Sequence, residues 1–238
     1  VTATAQDDTV EVTPLGTNSG TLQANDRSPV VNFTETGTFN LDTAGGQNTI
    51  IVNGSSVGET IAVTGALVTV GTRETINYSA TGGGNALPVD GHQGGDTFNV
   101  VPDGSVPMFI DGGDPIGTIG DTLALTANMT SVFSPGPEGD EGGYDIDSLQ
   151  PVSYDHIEAV TVTDPTGNNL VATVMGTQGD DDITGSGVAA NSVDVTVNDG
   201  PVTRYSGVAT MILQGKNGDD DFDIALNVPN LGTVFNID

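Results

Sequence analysis

The chain has 238 residues, 32 Asp and Glu against 4 Lys and Arg, and a formal charge of −28, so it carries no basic footprint for a nucleic-acid backbone and is disfavoured at anionic membranes. Cysteine is absent, which excludes disulfides, thiolate metal sites and cysteine nucleophiles. Aromatic residues are 5% and glycines number 34, so a core has to be assembled from Val, Ile, Leu and Thr in thin layers.

The chain opens at Val1 with no Met and no signal-peptide pattern, and the expectation is a mature or excised piece. From there almost every window alternates apolar with polar residues, and Gly or Pro interrupts helical spacing. Val10 and Val12, Phe39 and Leu41, Ile61 and Val63, Phe98 and Val100, and Val160 and Val162 are period-two pairs that predict strands. Turns are predicted at TAGGQN (43–48), TGGGN (81–85), DGGDP (111–115), DPTGNN (164–169) and VNDGP (197–201). Residues 127–150 are acidic and rich in Gly and Pro, and predict a long loop joining two halves, 1–126 and 151–238. No stretch approaches the roughly 18 apolar residues of a spanning helix, so no membrane insertion is expected.

One phrase returns: glycine, then aspartate, then a β-branched or aromatic strand. It reads GHQGGDTFN from Gly91, GTQGDDDIT from Gly176 and GKNGDDDFD from Gly215, with echoes at Gln6, Gly58 and Gly120. A longer similarity joins SPVVNFTETGTFNLD from Ser28 to GPVTRYSGVATMILQ from Gly200, about 172 positions on, with related units starting at Glu74 and Pro151. Units of roughly 45–50 residues that cannot bury a face alone imply a quasi-linear all-β architecture. A β-solenoid and two stacked β-sandwich-like lobes both satisfy the pattern, and the uneven spacing favours the lobes. The rhythm is interrupted at Asp238, where the earlier copy continues with Gly-Gly-Asp-Pro, and the expectation is a longer array or a neighbouring molecule that supplies the continuation.

The phrases at 91–99, 176–184 and 215–223 resemble the hemolysin-type (RTX) calcium-binding nonapeptide, with His92, Thr177 and Lys216 in place of its second glycine. The resemblance implies Asp96, Asp181 and Asp220 as ligating carboxylates and Phe98, Ile183 and Phe222 as buried residues. In that family, sites form between consecutive tandem copies, whereas here each copy stands alone. YSGVATMILQGKNGDDDFDI (205–224) and MFIDGGDPIGTIGDTLAL (108–125) are similar in style to Gly/Asp/Thr-rich repeat proteins on the surfaces of aquatic bacteria. That similarity implies an exported structural or adhesive role at the cell surface and no catalytic residues.

Calcium takes six to eight oxygens, which acidic residues in carbonyl-rich glycine turns can supply. The candidate ligands are Asp96, Asp180, Asp181, Asp182, Asp219, Asp220 and Asp221, with Asp111, Asp114 and Asp121 as a second group. The bland alternative is that Asp is a good turn residue and a solubiliser. Sequons place possible glycans on Asn32, Asn53, Asn77 and Asn128. Arg73 and Arg204 each precede a Tyr-Ser strand, which suggests equivalent structural ion pairs. The G-x-S-x-G match around Ser56 is followed by strand pattern instead of helix, and His92 and His156 are far apart in sequence. An enzyme is therefore not expected. The leading expectation is an extracellular structural protein that assembles with copies of itself, head to tail, into a fibre or coat stabilised by calcium. The alternatives are a glycan-binding domain of an adhesin and a β-helix polysaccharide-degrading enzyme.

Overall fold

A computed structural model describes the chain except residues 26–27, 80–83, 116–119, 227 and 229–230. Arg27 and the first three residues of the TGGGN turn lie outside the described residues. The described residues form strands and turns, with no helix among them.

The strands pass back and forth between two sheets. In the first sheet, β1 (Thr9–Gly16), β2 (Ser19–Ala24) and β3 (Val31–Thr34) form an antiparallel meander. The chain crosses to the second sheet for β4 (Phe39–Asp42) and returns for β5 (Thr49–Ser55). A meander in the second sheet follows: β6 (Thr60–Thr64), β7 (Leu67–Val70) and β8 (Ile76–Ser79). Single strands then alternate between the sheets: β9 (Leu87–His92), β10 (Thr97–Val101), β11 (Met108–Asp111) and β12 (Thr122–Thr126). The scheme repeats with a first-sheet meander of β13 (Thr130–Pro135), β14 (Gly142–Ile146) and β15 (Val152–Asp155), then β16 (Ala159–Thr163) and β17 (Leu170–Met175). A second-sheet meander of β18 (Asp182–Ala189), β19 (Ser192–Val197) and β20 (Val202–Ser206) leads to β21 (Val208–Gln214), β22 (Asp221–Ala225) and β23 (Val234–Ile237).

Spatially, the first sheet runs β23-β21-β17-β13-β14-β15-β11-β9-β5-β1-β2-β3 and the second β22-β18-β19-β20-β16-β12-β10-β6-β7-β8-β4. Strands from successive coils pair in parallel, as in β5 with β9 and β10 with β12. This is a β-solenoid in which four meanders are spliced into the stack, and not a pair of antiparallel sandwiches. Thr9 and Thr130, 121 positions apart, open equivalent meanders. Gly20 opposes Phe33 in the first as Gly142 opposes Tyr154 in the third.

The interior is one continuous layer. All five period-two pairs are buried, from Val10 and Val12 to Val160 and Val162. Phe33 of the first sheet and Phe39 of the second meet with ring centroids 4.6 Å apart. Each inward Val, Ile or Leu gains about 1.5–3 kcal/mol from burial, and outward Thr and Asn suit the exposed pleat.

Residues 127–150 are not a loop. They contain β13 and β14, which sit inside the first sheet with Ser131, Phe133, Tyr144 and Ile146 buried. A serine at one inward position and a Gly/Pro-rich hairpin between the strands hide the alternation. Both sheets continue past this segment.

Candidate functional site

Where the chain crosses from the first sheet to the second, an acid precedes each new strand except β4, which follows Thr38. Glu59, Asp96, Asp121 and Glu158 stand directly before β6, β10, β12 and β16, which are neighbours in the sheet. The Glu59 N–H donates to Asp96 Oδ1 (2.7 Å), and the Asp96 N–H donates to Asp121 Oδ1 (2.6 Å). The Asp121 N–H donates in turn to the Glu158 carboxylate. The result is a carboxylate ladder in which each acid closes the backbone of the coil beside it. Arg73, in the turn between β7 and β8, ends the ladder by donating to the Glu59 carboxylate and to Ser55 Oγ (2.9 Å).

The ladder leaves charge uncompensated. Asp96 and Asp121 are 1% and 0% exposed, and their Oδ2 atoms have no hydrogen-bond partner. Burial, joined by the neighbouring acids, pushes the Asp96 carboxyl up to about 7 and the Asp121 carboxyl up to about 6, against the opposing effect of the N–H bonds. Glycine is required beside them. A Cβ on Gly91 would lie 2.6 Å from Asp96 Oδ2 and 2.7 Å from the Gly112 carbonyl oxygen, and one on Gly112 would collide with the His156 carbonyl.

Further along the same edge the acids are better partnered. The Asp181 N–H donates to Asp220 Oδ1 (3.1 Å). Asp181 itself accepts from the Thr177 N–H (2.8 Å), Thr177 Oγ1 (3.0 Å) and Asn198 Nδ2 (2.8 Å). The Asp219 N–H donates to Asp180 Oδ1 (2.9 Å), and the Asp182 N–H to Asn198 Oδ1 (2.9 Å). Asp182 and Asp221 are register partners on β18 and β22. Phe98 and Ile183 are fully buried, whereas Phe222 on the edge strand β22 is partly so.

The second candidate group is dispersed. Asp121 belongs to the ladder. Asp111 lies on the outer side of the first sheet in a register row with Asp90 and Asp155. Asp114 acts through its backbone, donating to the His92 carbonyl (2.7 Å) and accepting from the Gly94 N–H (2.7 Å), ahead of a cis bond to Pro115. The row also gathers both histidines. His156 Nδ1 lies 2.8 Å from Asp111 Oδ1, and His92 Nδ1 3.2 Å from Asp90 Oδ2. Hydrogen bonding to Asp111 raises the His156 imidazole above its ordinary value, and burial raises the Asp90 carboxyl. Sequence distance concealed this meeting; the coil spacing that creates it is not periodic in the sequence. Among the described residues, no three His, Cys, Asp or Glu side chains converge as a ready metal centre.

The opposite edge carries amides. The Asp8 N–H donates to Asn48 Oδ1 (2.9 Å), and the Asn48 N–H donates to Asn85 Oδ1 (2.9 Å). Asn48 Nδ2 also donates to the Gly45 carbonyl (2.9 Å). Hydrogen bonds from Thr4 and Asn25 hold the Asp8 carboxyl below its ordinary value. This ladder was missed in the sequence, where its signal is an Asn or Asp one or two positions before a strand.

Other predicted residues fall as follows. Asn32 and Asn128 are exposed, Asn77 is half-buried, and Asn53 is buried with its amide donated to Glu11 (2.6 Å) and Thr13 (3.1 Å). Ser56 lies in a turn between two strands. Both predicted arginine ion pairs form, but at different places: Arg73 in a turn with Glu59, and Arg204 on β20 opposite Asp194 at 2.7 Å. No family model, curated protein or solved structure matches the chain.

Proposed function

We propose that this chain is a non-catalytic, extracellular structural module that stacks end to end with copies of itself, its charge and turns stabilised by calcium. One observation carries the reading: the two open ends of the stack are related by the internal repeat. β23 occupies the repeat position of β11, because each pairs in parallel with the strand that precedes a GHQGGD or GKNGDD turn. β3 occupies the position of β15. Inside the molecule β11 and β15 pair in parallel, with Met108 opposite Val152 and Ile110 opposite Tyr154. The same register would set Phe235 opposite Val31 and Ile237 opposite Phe33 of the next copy. In the second sheet, Val1–Ala3 runs beside β4 through the Ala3 N–H to Asp42 O bond (2.7 Å), as the end of β12 runs beside β16. β22 would meet that segment as β10 meets β12.

Open strand edges favour pairing with another chain, and a −28 surface opposes it. Bound cations reconcile the two. The unpartnered Oδ2 atoms of Asp96 and Asp121 are the carboxylate oxygens best suited to one, with turn carbonyls completing an oxygen shell. Asp181 is less suited, since protein donors already engage it. Sedimentation velocity across a concentration series, with calcium and with EDTA, tests the reading. Growth in calcium supports it. A monomer in both favours instead a glycan-binding adhesin domain.

A further inference from the structure

The four meanders leave two places where no chain crossing closes the edge between the sheets. There the gap is covered by two hairpin ends facing each other. In the first half the cover is tight: strand pairing runs to Gly16 and Ser19, and the Glu74 N–H of the facing turn donates to the Gly16 carbonyl (2.8 Å). In the second half the innermost backbone pairing is the Gly136 N–H to Glu141 O (3.0 Å), which leaves Pro137–Asp140 as a wider loop, braced by the Glu138 N–H donating to Glu141 Oε1 (2.7 Å), against the turn Asn198–Pro201. Between them a cavity of about 260 Å³ opens toward the core.

Its chemistry is polarised. Phe133, Val174, Val197 and Tyr205 form the inner wall, and Glu138, Glu141 and Asp199 stand at the mouth. Tyr205 is fully buried, and the hydroxyl of the nearby Tyr144 is hydrogen-bonded to Thr203 Oγ1 (3.0 Å). Concave, mostly apolar sites with a few polar groups at one end are what small ligands occupy. The acidic mouth excludes anions and draws cations.

We propose that this cavity binds a small organic ammonium ion, its aromatic or branched body between Phe133 and Tyr205 and its charge at Glu138, Glu141 and Asp199. The size admits a ligand smaller than a typical drug, for which sites run from about 300 Å³ upward.

The test is isothermal titration calorimetry, with ligand-observed saturation-transfer NMR, using 2-phenylethylammonium, neutral 2-phenylethanol and the anion phenylacetate. The cation should bind saturably and at least about tenfold more tightly than the anion. Val197→Phe fills the cavity and should abolish binding with the circular-dichroism spectrum unchanged. Glu138→Gln and Glu141→Gln with Asp199→Asn should reduce the cation to the affinity of the alcohol, and this triple variant carries the test alone if Val197→Phe does not fold. Absence of saturable cation binding, equal binding of the anion, or undiminished binding by a folded Val197→Phe chain would overturn the assignment.

Discussion

Asp121 Oδ1 accepts the backbone N–H of Asp96 at 2.6 Å, while the Oδ2 of each residue is buried without a partner. One oxygen of each carboxylate thus holds two coils together, and the other retains a charge that the interior does not compensate. The account of stability at the acidic edge follows from that division.

The pH dependence has a definite sign. Both carboxyls are raised on folding, to about 7 and about 6 from 3.8. The folded state therefore holds protons the unfolded chain releases. Their contribution is fully present below about pH 4 and is lost as pH rises through about 6 and then about 7. Asp96→Asn keeps the accepting oxygen and removes the ionisation. In EDTA its melting temperature should change less between pH 5 and 8 than that of the parent, and at pH 8 it should exceed the parent's. A parallel pair of curves would remove the buried charge from the explanation.

Gly112 cannot carry a side chain without displacing the His156 carbonyl and the Asp121 carboxylate. Gly112→Ala should cost about 1–3 kcal/mol, the range for overpacking, in urea unfolding. Gly37, which has ordinary φ and whose added Cβ would meet open space, is a control for replacing glycine without that contact. Equal losses at the two positions would mean that the loss of glycine itself, and not the stacked coil, sets the cost.

On the amide edge, Asn48 accepts from Asp8 and donates to Gly45 and Thr43. Asn48→Ala removes the acceptor of the buried Asp8 N–H, at about 1–3 kcal/mol for an unsatisfied group. Asn48→Asp should be similarly harmful because it cannot donate at neutral pH. A melting temperature of Asn48→Asp equal to the parent's would show that the donated bonds contribute little.

Ile237 is 52% exposed at the open end of the first sheet, and Val31 is 54% exposed at the other end. A charge on an edge strand blocks pairing with a neighbour. Ile237→Lys or Val31→Lys should leave the melting temperature of the dilute protein within about 2 °C, since exposed substitutions shift stability by under ~0.5 kcal/mol. Each should abolish concentration-dependent growth in sedimentation. Undiminished growth in both would place the contact between copies elsewhere.

Much of the fold was legible. Each period-two pair is a buried pair, and the units beginning near Ser28, Glu74, Pro151 and Gly200 contain β3, β8, β15 and β20, the third strand of each meander. The alternation of meanders between sheets was not. Meanders begin at Thr9, Thr60 and Thr130, and the wider second interval arises because β9 to β12 are single strands inserted between them. That irregularity argued for separate lobes, although parallel pairing accommodates it within one stack. The acids of the turns were found by composition, but their roles were not, because a carboxylate that accepts an N–H from another coil looks in sequence like one that binds a cation. The meeting of His92 with His156 and the asparagine ladder depend on which coils are neighbours, which no local pattern encodes.

End-to-end stacking is measured most directly by negative-stain imaging of the purified chain in calcium and after EDTA. Twelve strands in the longer sheet, at about 4.8 Å each, give an axial repeat of about 58 Å per copy. The account predicts filaments one molecule wide with that repeat in calcium, dissolving on chelation. Dispersed single particles under both conditions would contradict it.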